Sequence, residues 1–182
     1  MMMTLAIGGL IIFAIIALIS IYNKLVHLRA LTDEGWSGVE VQLKRRYDLV
    51  PNLISVARQY AAHEKGVFEA VTQARAQALQ AHVPSERVAA ENGLSRALRN
   101  FFAVVENYPD LKANAQYMQV STQLSSIEDE LQLARRYYNG AARNYNVVVQ
   151  RFPSNIVARV TGYALVPYFQ LTNPAEQEVP RI

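Results

Sequence analysis

The amino-acid sequence predicts an all-α protein in which an N-terminal transmembrane helix is followed by an antiparallel up-and-down bundle of long helices. Three observations predict this class. Residues 4–22 form an uncharged apolar run that is long enough to cross a bilayer. From Lys24 to about residue 150 the chain is rich in the helix formers Ala, Leu, Gln, Arg and Glu, and Gly and Pro are confined to a few places. Apolar residues also recur at helical spacing, which predicts buried helix faces.

The first predicted element is the transmembrane helix. All 18 basic and 15 acidic residues of the 182-residue chain lie at or after Lys24, and the apolar run approaches the roughly 20 residues that span a hydrocarbon core. A cleaved signal peptide is the alternative, but it normally has a basic segment, a shorter apolar stretch and small residues at a cleavage site. The sequence shows none of these features, so we expect an uncleaved anchor.

The charges that flank the apolar run predict its orientation. Lys24, Arg29 and the cluster Lys44-Arg45-Arg46 follow the run, and only the α-amino group precedes it. Because positive residues stay on the cytoplasmic side, we expect a single-pass protein of the inner (cell) membrane with its N-terminus outside and its bundle in the cytoplasm. The expected parts of the chain are the transmembrane anchor 1–23, the cytoplasmic helical bundle 24–166 and an extended or mobile C-terminal tail 167–182.

Two apolar seams with alternating spacings of three and four residues predict which helix faces are buried. The longer seam, on the third long helix, runs through Tyr117, Val120, Leu124, Ile127, Leu131, Ala134, Tyr138, Ala141, Tyr145 and Val148. The second seam, nearer the membrane, runs through Trp36, Val39, Leu43, Arg46, Val50, Leu53, Ala57 and Tyr60. Each seam must pack against another helix, and short connections between long helices make them antiparallel neighbours.

Prolines, glycines and capping residues predict where the helices bend or end. Pro51 is expected to kink its helix, since it removes a backbone donor and crowds the preceding turn. Further along the chain we expect a bend or break at Gly66, an N-cap at Ser85 for a helix over residues 86–106, a helix start at Pro109, a helix end at Phe152-Pro153 and a short helix within 154–164.

The composition and motifs argue against several kinds of site. The absence of cysteine rules out disulfides, thiolate nucleophiles and Cys-ligated metals. None of the three histidines follows a Glu by three residues and no His-Glu-x-x-His motif is present, so no metal site is predicted. Glu128-Asp129-Glu130 is interpreted as a solvated face, because consecutive helical residues point in different directions. We expect no catalytic residue and no cofactor, and the formal charge of +3 is too evenly spread to predict nucleic-acid binding.

Arg46 is the most informative departure from the apolar pattern. It occupies a seam position between Leu43 and Val50, where a charge needs a partner and full hydrogen bonding. Asp48 points elsewhere on the same helix, so we expect the partner to come from another helix or chain. A structural ion pair that fixes helix register is favoured over a ligand site.

Several short motifs, in their order along the chain, resemble those of the LemA family. They follow the single N-terminal span and are LKRRYDLVPNL at 43–53, YAAHE at 60–64, YPDLKAN at 108–114, RYYN at 136–139, YN at 145–146 and FP at 152–153. The resemblance covers nearly the whole chain. It implies a bacterial inner-membrane protein with a cytoplasmic antiparallel helical bundle and no assigned enzymatic activity.

Polar residues of these motifs gather where the helical backbone is expected to be irregular, around Pro51 and near Pro109. The candidates for an interaction surface or a structural polar group are Arg45, Arg46, Asp48, Asn52, Asp110, Asn114 and Asn139. Asn139 is included as a neighbour of the seam tyrosines, because buried tyrosine hydroxyls need polar partners.

The sequence favours a non-enzymatic, membrane-anchored scaffold that self-assembles or presents a protein-interaction surface at the inner membrane, and that could organise or shape the membrane. An anchor confines molecules to two dimensions and so raises the effective concentration of weak lateral contacts. The expected partners are the lipid bilayer, further copies of the chain in a homo-oligomer and a membrane-protein partner. Two alternatives stay open: an adaptor or regulator of a membrane protease in membrane-protein quality control, and a ligand sensor that uses the polar group around Arg46.

Overall fold

The computed structural model describes residues 2–81 and 83–169, and it confirms the all-α prediction. In this part of the chain the helices are α1 (Met2–Arg58), α2 (Lys65–Gln80), α3 (Pro84–Val105), α4 (Pro109–Ala113), α5 (Ala115–Gln150) and α6 (Ser154–Thr161). The described residues form two compact units. The anchor unit comprises the residues up to Gly38 together with Ala134–Tyr168, and the central unit comprises Val39–Leu133 together with Phe169.

The N-terminal part of α1 is long and apolar enough to cross a membrane. Its most apolar window has a mean hydropathy of 2.3, and none of that window is buried inside the protein. Large side chains such as Leu10, Ile12 and Phe13 are exposed. A helix that is apolar on all sides and yet unburied is typical, by length and composition, of a segment that meets lipid.

Soon after this segment, α1 packs into the core of the anchor unit. Leu25 is fully buried, together with Tyr145 of α5 and with Val157 and Ala158 of α6. Ile21, within the apolar segment, packs against the same cluster. The anchor unit therefore joins α1, α5 and α6 around one apolar core.

α1 and α5 approach one another closely at Gly35. A Cβ atom at this position would lie 3.0 Å from the Cα atom of Tyr138 and 3.1 Å from the ring of Tyr137. The indole of Trp36 meets the Tyr138 ring edge-on, with ring centroids 5.2 Å apart. The absence of a side chain at Gly35 therefore sets how near these two helices come.

Residues 163–168 have no regular secondary structure and are held by side chains of α5. Asn146 bonds twice to Val166: its Nδ2 donates to the carbonyl oxygen at 2.9 Å, and its Oδ1 accepts the N–H at 3.0 Å. Two tyrosine hydroxyls of α5 donate to carbonyl oxygens of the same segment, Tyr145 to Ala164 at 2.9 Å and Tyr138 to Pro167 at 2.6 Å. The remainder of the predicted tail, residues 170–182, lies outside the described residues.

The central unit contains the rest of α1, α2 to α4 and the first half of α5. Most positions of both predicted seams in this unit are buried, at Val39, Leu43, Arg46, Val50, Leu53 and Ala57 of α1 and at Tyr117, Val120, Leu124, Ile127 and Leu131 of α5. Tyr60, the last predicted position of the α1 seam, is instead 39% exposed and follows the end of the helix. The rings of Phe68 on α2 and Phe101 on α3 meet with centroids 6.1 Å apart. The periodicity of the sequence therefore identified the core faces of both long helices.

Two predicted helix boundaries are wrong. The chain leaves the helix at residues 59–64 rather than at Gly66, which lies inside α2. Ser85 is not an N-cap, because α3 already begins at Pro84 without a side-chain cap. The predicted helix start at Pro109 is confirmed, but the helix is divided at Asn114 into the short α4 and the long α5.

Tertiary hydrogen bonds explain why the turn at residues 59–64 forms where no glycine or proline marks it. The Tyr108 hydroxyl donates to Glu64 Oε1 at 2.8 Å. The Asn114 Nδ2 donates to the Tyr60 hydroxyl at 2.9 Å. These bonds tie the turn to residues around α4, and such contacts override local helix propensity.

Candidate functional site

Arg46 lies in the core of the central unit and is bound by side chains of two other helices. Only 2% of the residue is exposed. Its Nη1 donates to Glu91 Oε2 at 3.0 Å and its Nη2 donates to Ser95 Oγ at 3.1 Å, both on α3. Its Nε lies 2.7 Å from Glu128 Oε1 on α5, a contact with the distance of an ion pair but without the alignment of a hydrogen bond. The partner of Arg46 that the sequence requires is thus supplied by other helices.

Glu91 is the anionic centre of this network. It is fully buried, and in addition to the Arg46 bond it accepts a hydrogen bond from the Tyr47 hydroxyl. Burial and, after it, the charge of Glu91 raise the pKa of Tyr47 far above its ordinary value, because both disfavour the phenolate. Tyr47 therefore keeps its proton and remains a donor throughout the physiological pH range.

Pro51 accounts for a further contact of Tyr47. A proline has no N–H, so the carbonyl oxygen four residues earlier, that of Tyr47, lacks its helical donor. α1 nonetheless continues through Pro51 to Arg58. Arg75 of α2 supplies the missing donor, because its Nε donates to the Tyr47 carbonyl oxygen at 2.6 Å. The irregularity that the sequence indicates at Pro51 is thereby stabilised from a neighbouring helix.

Further ion pairs lie nearer the surface of the central unit. Arg45 Nη1 lies 2.6 Å from Glu130 Oε2, with both side chains partly exposed. Arg87 Nη1 lies 2.6 Å from Glu40 Oε1, and the same guanidinium also donates to the Ala81 carbonyl oxygen. Because exposed pairs typically contribute only about 0–1 kcal/mol, the buried pair is the energetically decisive one.

The arrangement is suited to fixing helices rather than to chemistry. The guanidinium of Arg46 is already engaged by Glu91, Ser95 and Glu128. Slippage of one helix against the others would leave charges unpaired in the core, at a cost of several kcal/mol. Among the described residues, no group of three or more His, Cys, Asp or Glu could hold a metal ion.

The candidate residues around Pro51 take different positions. Arg45 and Arg46 both contact acidic residues of α5. Asp48 instead pairs with Lys44 at 2.8 Å on the exposed side of α1. Asn52 is also exposed, directly after Pro51.

The candidates near Pro109 are likewise separated. Asp110 is exposed in the first turn of α4. Asn114 caps α5, because its Oδ1 accepts the N–H of Tyr117 at 3.0 Å, and its Nδ2 bonds to Tyr60. Asn139 belongs to the anchor unit, where it is half-buried on α5.

None of the three partners of Arg46 was predicted from the sequence. Glu91 lies three residues before Leu94, on the seam that continues through Leu98, Phe101 and Val105. A charge on that seam is the same signal that marks Arg46, and it could have been found. The interpretation of Glu128 and Glu130 as a solvated face is wrong, because they pair with Arg46 and Arg45.

Comparison with protein-family models gives a match over most of the chain. The model described as LemA family matches residues 35–182, a range that contains the whole Arg46 network. The matched range begins after the apolar segment of α1, so it covers the packed helices and the tail.

Several characterised proteins are similar to the chain. "Magnetosome protein MamQ 2" of Paramagnetospirillum magneticum is 27% identical over 175 residues, which cover 82% of this chain and 64% of that protein. "Magnetosome protein MamQ" of Magnetospirillum gryphiswaldense is 25% identical over an alignment 195 positions long, which covers 93% of this chain and 71% of that protein. "Protein LemA" of Metamycoplasma hominis is 29% identical over 152 residues, which cover 81% of this chain and 68% of that protein. The chain thus spans just under two thirds of the length of the first of these relatives.

Proposed function

The chain belongs to the LemA family, and from this premise we propose that it is a non-enzymatic, membrane-anchored helical scaffold that self-associates at the inner membrane. The proposal places its bundle on the cytoplasmic side, because the basic residues Lys24 and Arg29 follow the apolar segment. It assigns the Arg46 network to the stability of the scaffold.

The continuity of α1 is the observation that carries the proposal. In the anchor unit, the same helix holds the apolar segment and, three positions after Tyr22, the fully buried Leu25. No flexible linker separates the apolar segment from the packed core. A rigid connection of this kind suits a protein that holds others in a fixed geometry at a membrane better than it suits a tethered enzyme.

The Arg46 network supports a scaffold over a ligand sensor. A sensor needs a polar group that can exchange a protein partner for a ligand, whereas the donors of Arg46 are engaged by Glu91, Ser95 and Glu128 in the core. Displacing Glu91, the fully buried carboxylate, would separate two charges that pair in the core. A buried network with this cost favours one fixed arrangement of helices.

Self-association has a candidate surface in the central unit. The pairs Arg45–Glu130 and Arg46–Glu128 set the antiparallel register of α1 and α5, and this register brings Val41 level with Leu133. The two side chains are 54% and 58% exposed. Confinement to a membrane raises the effective concentration of copies, so that a small apolar contact of this kind can suffice.

The test is to weigh single particles of the full-length protein, extracted with its surrounding lipid into polymer-bounded nanodiscs. We expect discrete particles with several copies of the 20.4-kDa chain. Leu133→Lys should lower the number of copies, since a charge on the apolar contact opposes association. Gln132→Lys is the matched control, because this exposed neighbour points in a different direction on α5.

Single copies in every nanodisc would overturn self-association. If the particles hold several copies and neither Leu133→Lys nor Gln132→Lys lowers that number, the protein self-associates through a different surface. A second protein present at a fixed ratio to single copies would favour the adaptor alternative.

A further inference from the structure

α6 and the residue pair before it carry apolar side chains that face away from the protein. The buried face of α6 consists of Ser154, Val157 and Ala158. On the other side Ile156 is 55% exposed and Val160 is 82% exposed. Phe152, four residues before Ile156, is 74% exposed. Ile156 and Val160 lie one helical turn apart, and with Phe152 from the turn before α6 they form an unburied apolar stripe.

Positive charges flank this stripe. Arg151 and Arg159 are exposed at either end of it. Arg151 also lines an open groove of about 620 Å³, together with Lys24 of α1 and Arg143 of α5. None of the side chains that line this groove is acidic. The surface thus combines apolar residues with cations, a composition typical of helices that lie in a membrane interface.

The position of α6 along α1 places this surface near the bilayer. Val157 and Ala158 of α6 pack around Leu25, which follows Tyr22 by three residues, or about 4.5 Å of helix. The ring of Tyr163, just after α6, lies with its centroid 6.2 Å from that of Tyr22. Tyr22 ends the apolar segment, and the headgroup layer beyond the hydrocarbon core is about 5–8 Å thick. α6 is therefore at headgroup depth when the segment spans the membrane.

We propose that α6, with Phe152, is a second membrane contact that enters the interface of an anionic leaflet. Phe152, Ile156 and Val160 meet the upper acyl chains, and the surrounding cations bind lipid phosphate. The proposal rests on the anchor of the proposed function but not on self-association. The occupant is lipid because the surface is continuous with the spanning segment and because its cations complement anionic headgroups.

A second contact beside the span has a mechanical consequence. A lone transmembrane helix can rotate about its axis and tilt in several directions, and anchors at the interface restrict both motions. α6 is packed on one side of α1 through Leu25. Its insertion would therefore fix which side of the anchor unit faces the membrane surface.

The test uses the full-length protein, whose lack of cysteine allows single labels. Ile156→Cys and Val160→Cys, each carrying an environment-sensitive fluorophore, are reconstituted in phosphatidylcholine vesicles with about 30% phosphatidylglycerol. Lipids with a nitroxide high on the acyl chain should quench both labels at least about twofold and the emission should be blue-shifted. Tyr137→Cys is the control, because this residue is 51% exposed and its ring lies beside Gly35, about 20 Å of helix beyond Tyr22.

A further pair of measurements separates lipid phosphate from free phosphate. Replacing Arg151 and Arg159 by Gln, or omitting phosphatidylglycerol, should reduce the quenching of the Val160 label, whereas added inorganic phosphate should not. Equal quenching at Val160 and Tyr137 would overturn the proposal. Protein that fails to float with the vesicles would overturn the anchor itself, an outcome distinct from a loss of quenching in floating protein.

Discussion

Two buried polar clusters, one in each compact unit, are built in different ways. In the central unit a full positive charge, Arg46, is neutralised by carboxylates of α3 and α5. In the anchor unit the neutral side chains Asn146 and Tyr145 bond to backbone groups of residues 163–168. Charge pairs between side chains define helix register, whereas the amide and hydroxyl bonds satisfy a segment that has no helical bonds of its own.

This contrast predicts different sensitivities. A buried charge that loses its partner is costly, while a lost neutral hydrogen bond costs less. The cluster around Arg46 should therefore respond most to changes of charge and pH. In the anchor unit, the contact at Gly35 should respond to side-chain volume, and the bonds of Asn146 and Tyr145 to the loss of single neutral hydrogen bonds.

The largest effect is expected for Arg46→Met, which removes from the core the guanidinium that pairs with Glu91. We expect the free energy of unfolding, measured by denaturant titration in mild detergent, to fall by about 3–5 kcal/mol. Arg45→Met is the matched control, since its pair with Glu130 is partly exposed and should contribute at most about 1 kcal/mol. Adding Glu91→Leu to Arg46→Met should recover part of the loss. Equal losses at Arg45 and Arg46 would contradict the contrast between core and surface.

The next effect concerns the close approach of α1 and α5 in the anchor unit. Gly35→Ala would place a Cβ atom 3.0 Å from the Tyr138 backbone, and such overpacking costs about 1–3 kcal/mol. Gly38→Ala meets nothing within 4 Å and should stabilise the helix by up to about 1 kcal/mol. Thermal unfolding of both variants should give shifts of opposite sign. If Gly35→Ala stabilised the protein as Gly38→Ala does, α1 and α5 would have to lie farther apart at Gly35 than the structure shows.

A smaller loss is expected for Asn146→Ala, which removes two hydrogen bonds to Val166. Because each hydrogen bond contributes a net value near 1 kcal/mol, the free energy of unfolding should fall by about 2 kcal/mol. Hydrogen exchange of the Val166 amide should accelerate with it. Asn144→Ala, an exposed neighbour on α5, should leave that exchange unchanged. Unchanged exchange in Asn146→Ala would mean that residues 163–168 are held by other contacts.

The smallest effect is the alkaline response of Tyr47. Its pKa is raised above the ordinary value near 10, so its contribution to stability is complete below pH 10. Above pH 10 the unfolded chain loses this proton while the folded chain keeps it, so the free energy of unfolding falls by up to about 1.4 kcal/mol per pH unit. Tyr47→Phe should lack this component, and its stability should fall less steeply between pH 10 and 11. If the free energy of unfolding fell equally steeply with pH in Tyr47→Phe and in the unchanged protein, the raised pKa of Tyr47 would be contradicted.

Much of the fold follows from local patterns in the sequence. The seams of α1 and α5 could be predicted because each buried position recurs with the helical period, and the apolar segment because it carries no charge. The turn at residues 59–64 could not, since it depends on the bonds of Tyr60 to Asn114 and of Glu64 to Tyr108. Those partners are distant along the chain, and no local signal reports them.

Only part of the candidate site could be predicted from the sequence, for a related reason. Arg46 interrupts an apolar seam, so its burial and its need for a partner could be inferred from one helix alone. The identity of the partners depends on how three helices align. Glu128 is an ordinary charged residue within an acidic triplet, and only the register of α1 against α5 brings it to Arg46.

The contact between Arg75 and the Tyr47 carbonyl oxygen constrains the order in which Pro51 and Arg75 can change during evolution. Pro51 creates an acceptor that α1 cannot satisfy, and Arg75 satisfies it from α2. A descendant that lost Arg75 but kept Pro51 would leave a carbonyl group without a partner, whereas one that lost Pro51 would free Arg75 to change. Across the family, a basic residue at the position of Arg75 should therefore accompany the proline, and the two should disappear in that order: first the proline, then the arginine.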